Sequence, residues 1–279
     1  MDGDRHFAHL PAITAQMHYL SPGSAAPRTY SYEPPAGSPP AQGDYIHVPT
    51  KIHDARPIAD ELSLDVEGFR LVRHEMPVAD FRNESELRAA YRQAEALVKH
   101  LTGATLVRAF DHNLRSSGVV GRAPTGVREP ARKIHGDFTA DSGPKRARAE
   151  LEAAGEDADR LLQSRYAIIN VWRPIRGPVR NAALALCDAR SVGAGDLTEA
   201  ELRHPGRSGY IYYLRHNPAH RWFYFPAMET GEALIIKCYD SEPGRASCAP
   251  HSAFDDPAAP ADAPARESLE IRTVAVFGA

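Results

Sequence analysis

The chain has little cysteine, and this scarcity excludes two common kinds of scaffold. Its 279 residues include only three cysteines, Cys187, Cys238 and Cys248, an odd number with scattered spacing. Such a pattern argues against a disulfide framework and against a zinc ribbon. A reducing compartment is the simplest setting for it, and we therefore predict a cytoplasmic location.

The sequence also lacks long apolar runs and dense blocks of basic residues. No apolar run approaches the length of a membrane span, and the polar residues 1–6 lack the apolar core of a signal peptide. The formal net charge is −3, and no Lys/Arg block of the kind that binds polyanions is present. We expect neither a membrane nor nucleic acid among the partners. The composition, 43% hydrophobic and 25% charged, is ordinary for a globular protein with a sizeable core.

The first part of the chain differs in composition from the rest. Residues 1–45 are rich in Pro, Gly, Ser and Ala, which excludes a continuous helix or an inner strand there. Four tyrosines in this segment favour an arm that docks on the body over a mobile tail. We predict a Pro/Gly-rich N-terminal arm over 1–45 and a single domain over 46–279, a length that one β-rich domain often reaches.

Two helices and many short strands are predicted for the remainder. The clearest helix runs from Asn83, a suitable cap, to Leu101, and Gly103 ends it. A second helical region extends from Ser142 to about Gln163. Alternating or largely apolar segments predict strands at 45–48, 69–73, 104–110, 166–172, 182–187, 209–215, 221–225, 233–239 and 268–277.

Turn residues add two further expectations about these strands. Pro49 is expected to stop the first strand, and Asn217-Pro218 is typical of a hairpin turn between two late strands. Many short strands preceded by helices indicate a mainly β protein with helical cover, either a β-sandwich or a jelly roll.

A His-X-Asp motif lies within Lys133 to Phe138. His135 and Asp137 are two residues apart, so an extended backbone would place both side chains on one face. A second histidine from a distant strand would complete a 2-His-1-carboxylate site, which suits non-haem Fe(II) and O₂. His251, 116 residues after His135 and behind a late strand, is the candidate. A surface histidine and a capping aspartate are the ordinary alternative, because such tripeptides also occur by chance.

Two late arginines could bind the carboxylate of a co-substrate. Arg266 follows His251 by 15 residues, and Arg272 lies in the final strand. An arginine fork meets a carboxylate with two hydrogen bonds, although either residue could equally be a surface charge. The neighbours Glu270 and Thr273 indicate a solvent face for Arg272.

Three other polar residues and one basic segment remain open in their interpretation. Asn170, at a buried strand end, could face the co-substrate or tie down a loop. Lys237 and Tyr239, two apart on a strand, should share a face and either line the cavity or point outward. Residues 113–133 carry several basic side chains, which could form a solvated loop or approach an acidic small molecule.

A set of short motifs in a fixed order resembles a known family. The motifs are Asn170-Val171-Trp172-Arg173-Pro174, Leu186-Cys187-Asp188, His220-Arg221-Trp222-Phe223-Tyr224-Phe225-Pro226, Lys237-Cys238-Tyr239-Asp240-Ser241, His251-Ser252-Ala253-Phe254-Asp255-Asp256-Pro257 and Pro264-Ala265-Arg266-Glu267-Ser268. Together they are similar to the fungal and bacterial oxygenases that include the gibberellin desaturase, the aspergillic acid hydroxylase and the cephamycin-pathway methoxylase component. The resemblance runs from about residue 45 to the C-terminus.

The resemblance implies an Fe(II)/2-oxoglutarate-dependent oxygenase on a double-stranded β-helix, the cupin-like jelly roll. By it, His135, Asp137 and His251 match the metal positions, and Arg266 is the best match for the co-substrate carboxylate. The implied partners are O₂ and a small molecule of secondary metabolism, which would be hydroxylated or desaturated with release of succinate and CO₂.

Other interpretations of the same ligand types remain at this point. A cupin-type metalloenzyme, or an oxygenase that does not use 2-oxoglutarate, would keep the three ligands. A non-catalytic jelly roll would bind no iron, and a zinc hydrolase would need a general base for which no specific signal is present. Neither the substrate nor the oligomeric state follows from the sequence.

Overall fold

The computed structural model of the protein describes residues 7–30, 32–76, 80–121, 123 and 125–278. Strands dominate, and short 3₁₀ turns and three α-helices connect them. The strands are β1 (Ala12–Leu20), β2 (Arg28–Tyr30), β3 (Ala41–Gln42), β4 (Tyr45–Asp54), β5 (Phe69–Arg73), β6 (Leu106–Ser116), β7 (His135–Gly136), β8 (Tyr166–Arg176), β9 (Ala183–Cys187), β10 (Leu197–His204), β11 (Arg207–Leu214), β12 (Trp222–Tyr224), β13 (Glu232–Asp240), β14 (His251–Phe254) and β15 (Glu267–Val276). The helices are α1 (Glu84–Thr102), α2 (Ser142–Ala153) and α3 (Ala158–Leu161).

The strands form two sheets that face each other across one core. The larger sheet has ten strands in the order β1-β4-β12-β9-β14-β7-β11-β10-β2-β3, and the smaller has five in the order β5-β13-β8-β15-β6. Ile168 and Trp172 from β8 pack with Leu186 from β9 and Phe223 from β12 in a single apolar cluster between the sheets. This arrangement confirms the predicted mainly β jelly roll with helical cover.

The outer face of the smaller sheet is covered by α1. Because successive residues of a strand point to opposite faces, Ile169 and Val171 of β8 belong to a second cluster that includes Val98 of α1. The helix was predicted almost to the residue. The side chain of Asn83 accepts hydrogen bonds from two backbone N–H groups of the first turn, and Gly103 ends the helix in the left-handed region at φ 72°.

The N-terminal segment contributes strands to both ends of the larger sheet. β1 pairs with β4 along its whole length, from Ala12 opposite His53 to Leu20 opposite Tyr45. Met17 and Tyr19 of β1 are buried in a third apolar cluster with Trp222, whose indole Nε1–H donates a hydrogen bond of 2.7 Å to the Tyr19 hydroxyl. The division of the chain into an arm over 1–45 and a domain over 46–279 stays a prediction.

Three local predictions were wrong, each for a physical reason. The second helical region is split into α2 and α3, because Gly155 adopts φ 78° between them and Asp157 caps the new helix. Strand β4 continues through Pro49, since the neighbouring β12 pairs only from Ile52 onward and no described strand pairs with that edge of β4 beside Pro49. Asn217-Pro218 does not close a hairpin, because β11 and β12 pair with other strands.

Within the described ranges, none of the α-helices combines the length and the apolar character that a bilayer crossing requires.

Candidate metal centre

Three side chains with metal-binding atoms meet between the two sheets. His135 in β7 is directly opposite His251 in β14 in the antiparallel register, and Asp137 follows β7 by one residue. Directly paired residues of adjacent strands point to the same face. The two imidazole centroids are therefore only 4.5 Å apart, and one ligand atom from each of the three residues lies within 4.8 Å of the others. The geometry brings together the triad that the sequence predicted.

Backbone carbonyls hold both imidazoles through their Nδ1 atoms. The Nδ1 of His135 is 2.8 Å from the carbonyl oxygen of Lys133, and the Nδ1 of His251 is 3.1 Å from that of Ala249. A carbonyl oxygen only accepts, so each Nδ1 carries the proton and each Nε2 keeps its lone pair for a metal. The Nε2 of His135 is 3.7 Å from Oδ1 of Asp137, so these two possible ligand atoms lie side by side.

The second carboxylate oxygen of Asp137 is held by donors on the smaller sheet. Oδ2 accepts a hydrogen bond of 2.7 Å from the side-chain amide of Asn170 and one of 3.2 Å from Nε of Arg272. These contacts leave Oδ1 as the oxygen available to a metal. The expectation that Arg272 lies on a solvent face is wrong, because residue 272 alternates with the outward-facing Ile271 and points between the sheets.

Charge and burial set the protonation of the triad. Burial and the neighbouring His251 imidazole lower the pKa of His135 to about 3. Burial alone would raise the pKa of Asp137, but Arg272 and the two imidazoles hold it well below its usual range. A neutral imidazole beside an ionised carboxylate is the state in which these groups bind a divalent cation.

Arg266 is a buried cation whose hydrogen-bond donors are only partly used. This residue is only 2% exposed, its Nη1 donates a hydrogen bond of 2.6 Å to the Ala182 carbonyl, and its guanidinium lies 5.6 Å from the Trp172 ring. Its Nε has no hydrogen-bond partner among the described residues, and the same holds for the buried hydroxyl of Ser268. A buried cation with an unfilled donor, next to an unfilled hydroxyl, is suited to an incoming carboxylate.

Ser268 was not identified from the sequence. It lies two residues after Arg266 and at the start of β15, so both side chains point to the same face of the sheet. The spacing Arg-X-Ser was the available signal, but serine is too common on strands for that spacing alone to mark a site. Its burial without a partner is visible only in the folded structure.

Lys237 and Tyr239 do not share a face, and this prediction was wrong. A bulge in β13 places Lys237 opposite Ile169 but Tyr239 opposite Ile168, which lies on the other side of the sheet. Nζ of Lys237 donates hydrogen bonds to Asp65, at 2.9 Å, and to Asp240.

Neither residue has a polar contact with the triad among the described residues. Lys237 lines a cavity of about 320 Å³ to which none of the triad residues contributes. The Tyr239 ring stacks on that of Tyr166, with centroids 5.8 Å apart. A role of Lys237 or Tyr239 in binding the co-substrate is therefore not supported by their contacts.

Comparison with known proteins finds relatives whose names include iron and 2-oxoglutarate dependence, in agreement with the chemistry of the triad. A family model described as an oxidoreductase/YMDC permease-like domain matches residues 17–277. The chain is 32% identical over 280 residues to the Fe(II)/2-oxoglutarate-dependent dioxygenase nvfI of Aspergillus novofumigatus, covering 95% of this chain and 96% of that protein. It is also 32% identical over 251 residues to the hydroxylase/desaturase efuI of Hormonema carpetanum, covering 82% and 83%.

A solved structure extends the similarity to the fold. The iron and alpha-ketoglutarate-dependent endoperoxidase NvfI superimposes with a TM-score of 0.83 at 28% identity, covering 96% of this chain and 99% of that one. Alpha-ketoglutarate is another name for 2-oxoglutarate. These similarities favour the 2-oxoglutarate-dependent interpretation over a cupin-type enzyme or an oxygenase without this co-substrate. With its paired histidines, its aspartate and its buried arginine on a jelly roll, the chain belongs to the family of Fe(II)/2-oxoglutarate-dependent dioxygenases and hydroxylase/desaturases.

Proposed function

We propose that His135, Asp137 and His251 bind Fe(II), that Arg266 and Ser268 bind 2-oxoglutarate, and that the protein hydroxylates or desaturates a small molecule of secondary metabolism. The observation that carries this proposal is the convergence of three ligand atoms to within 4.8 Å of one another, with both Nε2 atoms free. The family relationship supports the choice of iron and of the co-substrate.

Iron and 2-oxoglutarate supply the oxidising chemistry, in which O₂ and 2-oxoglutarate are converted to succinate and CO₂ while the substrate is oxidised at a C–H bond. The protein contributes binding and positioning. Asn170 and Arg272 occupy one oxygen of Asp137, so the other oxygen alone is offered to the metal. The three protein ligands then leave the remaining coordination positions for the co-substrate and O₂.

The surroundings of the site limit access of water. His251 is 3% exposed and Asp137 is 7% exposed, and the apolar cluster between the sheets packs next to them. Exclusion of water prevents side reactions and strengthens electrostatic contacts inside the site. Arg266 fixes one end of 2-oxoglutarate, which orients its keto acid end toward the triad.

Anaerobic reconstitution tests the proposal directly. Wild-type protein with Fe(II) and 2-oxoglutarate should develop the weak visible charge-transfer band of the chelate, and admission of O₂ should release succinate. His135→Ala and His251→Ala should lose both signals, because each removes one of three ligands. His100→Ala, at an exposed histidine of α1, is the matched control and should retain both. A wild-type protein that binds Fe(II) but gives neither band nor succinate would refute the use of 2-oxoglutarate.

We further propose a cytoplasmic setting for the protein. The three cysteines are unpaired and buried, which is compatible with a reducing compartment. Fractionation of the producing cells would test this, and recovery of the protein from an extracytoplasmic fraction would contradict it.

A further inference from the structure

Arg115 is a cationic side chain on the strand next to Ser268. It lies near the end of β6, where its backbone is directly opposite Ser268 of the neighbouring β15. The side chain is half-buried, and its Nη1 donates a hydrogen bond of 2.8 Å to the carbonyl oxygen of Glu129. It therefore borders the proposed co-substrate contacts while keeping some access to solvent.

The neighbouring arginines Arg272 and Arg266 differ from Arg115. Arg272 is 3.2 Å from Asp137 and 3.0 Å from Glu270, and it also pairs with Asp111. Arg266 is fully enclosed, and its Nε, which has no hydrogen-bond partner among the described residues, is assigned to 2-oxoglutarate in the proposed function. Arg115 forms no ion pair with any carboxylate in the described ranges, and the nearby acids Asp137 and Glu270 are already engaged by Arg272.

Arg115 is close enough to Arg266 to act on it electrostatically. After burial, the positive charge of Arg115 is the largest cause that lowers the pKa of Arg266. Charges that perturb one another in this way lie within the same poorly screened region.

Arg115 differs from Arg272 in its direct contacts. Three carboxylates, those of Asp111, Asp137 and Glu270, lie within 3.2 Å of the Arg272 guanidinium. In the described part of the chain, Arg115 has a backbone carbonyl as its hydrogen-bond acceptor and no carboxylate within ion-pair distance. A half-buried guanidinium of this kind can gain a paired carboxylate from a ligand.

We propose that Arg115 binds a carboxylate of the organic substrate, so that the protein prefers small organic acids over their neutral analogues. This inference rests on the proposed function, because it assigns 2-oxoglutarate to Arg266 and leaves Arg115 for the substrate. Within the basic segment 113–133, it applies the interpretation of an approach to an acidic small molecule to Arg115 alone. The fork geometry of arginine favours a carboxylate with two parallel hydrogen bonds.

Matched pairs of acids and amides test the proposal without knowledge of the natural substrate. The probes are octanoate with octanamide, and adamantane carboxylate with adamantane carboxamide. Each is titrated against protein that holds Mn(II) and saturating 2-oxoglutarate, with tryptophan fluorescence as the readout, since Trp172 lies beside Arg266. Wild-type protein should bind each acid at least tenfold more tightly than its amide, which is the effect of one charge-assisted pair.

Three variants separate this site from the co-substrate site. Arg115→Gln should lose the preference for the acid, whereas its affinity for 2-oxoglutarate should fall far less than that of Arg266→Met, because only the direct contact of Arg266 is assigned to the co-substrate. Arg115→Lys, which keeps the charge, should restore part of the preference. Arg176→Gln removes an exposed arginine of the smaller sheet and should change neither affinity.

Specific outcomes would overturn the inference. Equal affinity of wild type for acids and amides, or no binding of any acid up to its solubility limit, would exclude an anion site at Arg115. Loss of 2-oxoglutarate binding in Arg115→Gln would assign the residue to the co-substrate instead. Failure of the proposed function is distinguishable from both, because it would appear in wild-type protein as no chelate band and no succinate before any probe is added.

Discussion

Replacement of Arg266 by methionine should separate the stability of the protein from its affinity for the co-substrate. Methionine has a similar unbranched shape but no charge and no donors. In the folded protein, burial lowers the pKa of Arg266 to about 9 from the usual 12.5. The variant therefore removes a charge that is unfavourable in the folded chain as long as 2-oxoglutarate is absent.

The size of the effect follows from the pKa shift. Each pKa unit corresponds to about 1.36 kcal/mol, so keeping this guanidinium charged costs on the order of 5 kcal/mol relative to the unfolded chain. The cost is fully present below the folded pKa and disappears as the pH rises through the unfolded pKa. Part of it is offset by the hydrogen bond to Ala182 and the contact with Trp172, which methionine loses. We expect a net stabilisation of about 1–4 kcal/mol at neutral pH, as for other buried ions replaced by apolar residues.

Binding of 2-oxoglutarate should change in the opposite direction. Loss of a charge-assisted pair of about 1.5–3 kcal/mol weakens the affinity roughly 10- to 150-fold. Thermal unfolding with Mn(II), with and without 2-oxoglutarate, measures both effects in one experiment. The unliganded variant should have the higher Tm, by about 2–4 °C for each kcal/mol, and should lose most of the shift that the co-substrate produces in wild type.

Two further variants test whether the effect on 2-oxoglutarate binding comes from the guanidinium of Arg266. Arg266→Lys keeps the charge without the fork and should bind 2-oxoglutarate with intermediate affinity. Arg176→Met, at an exposed position, should leave the response to 2-oxoglutarate unchanged. The assignment of Arg266 would be refuted if the methionine variant were less stable than wild type and still bound 2-oxoglutarate as tightly.

Three other predictions concern the metal site and the packing around it. Asn170→Ala removes the 2.7 Å hydrogen bond to the ligand carboxylate and should weaken Fe(II) or Mn(II) binding about 10- to 100-fold in a metal titration. Tyr19→Phe leaves the buried indole N–H of Trp222 without its partner and should cost about 1–3 kcal/mol of unfolding free energy in urea. Gly136→Ala would place a Cβ 2.3 Å from the sulfur of Cys248 and should cost about 1–3 kcal/mol by overpacking and displace the adjacent ligand strand.

Each of these predictions has a control on the same chain. Arg272→Gln keeps a donor near the carboxylate and should affect metal binding less than Arg272→Met. Tyr32→Phe, at a tyrosine that is 40% exposed, should be neutral. Gly195→Ala meets no atom within 4 Å and should also be neutral. Metal affinity unchanged in Asn170→Ala, or stability unchanged in Tyr19→Phe or Gly136→Ala, would contradict the contacts on which these predictions rest.

The sequence alone determined the features that depend on local pattern. The helix from Asn83 to Gly103 was predictable because its cap, its apolar spacing and its terminal glycine all act within one segment. The strand β8 was predictable because a short run of apolar residues with several β-branched side chains favours an extended, buried backbone. The pair His135 and Asp137 was visible because ligands two residues apart share a face wherever the backbone is extended.

Only the tertiary structure decided what depends on distant partners. The pairing of β7 with β14 turns a separation of 116 residues between two histidines into 4.5 Å between their rings. A bulge in β13 places Tyr239 on the opposite face from Lys237, and the spacing of residues in the sequence does not predict such a register shift. Among the described residues, Nε of Arg266 and the hydroxyl of Ser268 are buried without a hydrogen-bond partner, and this distinguishes them from the same groups on surface residues. Sequence periodicity specifies which face a side chain occupies, whereas strand register and burial depend on which other segment lies opposite, and that is a property of the whole fold.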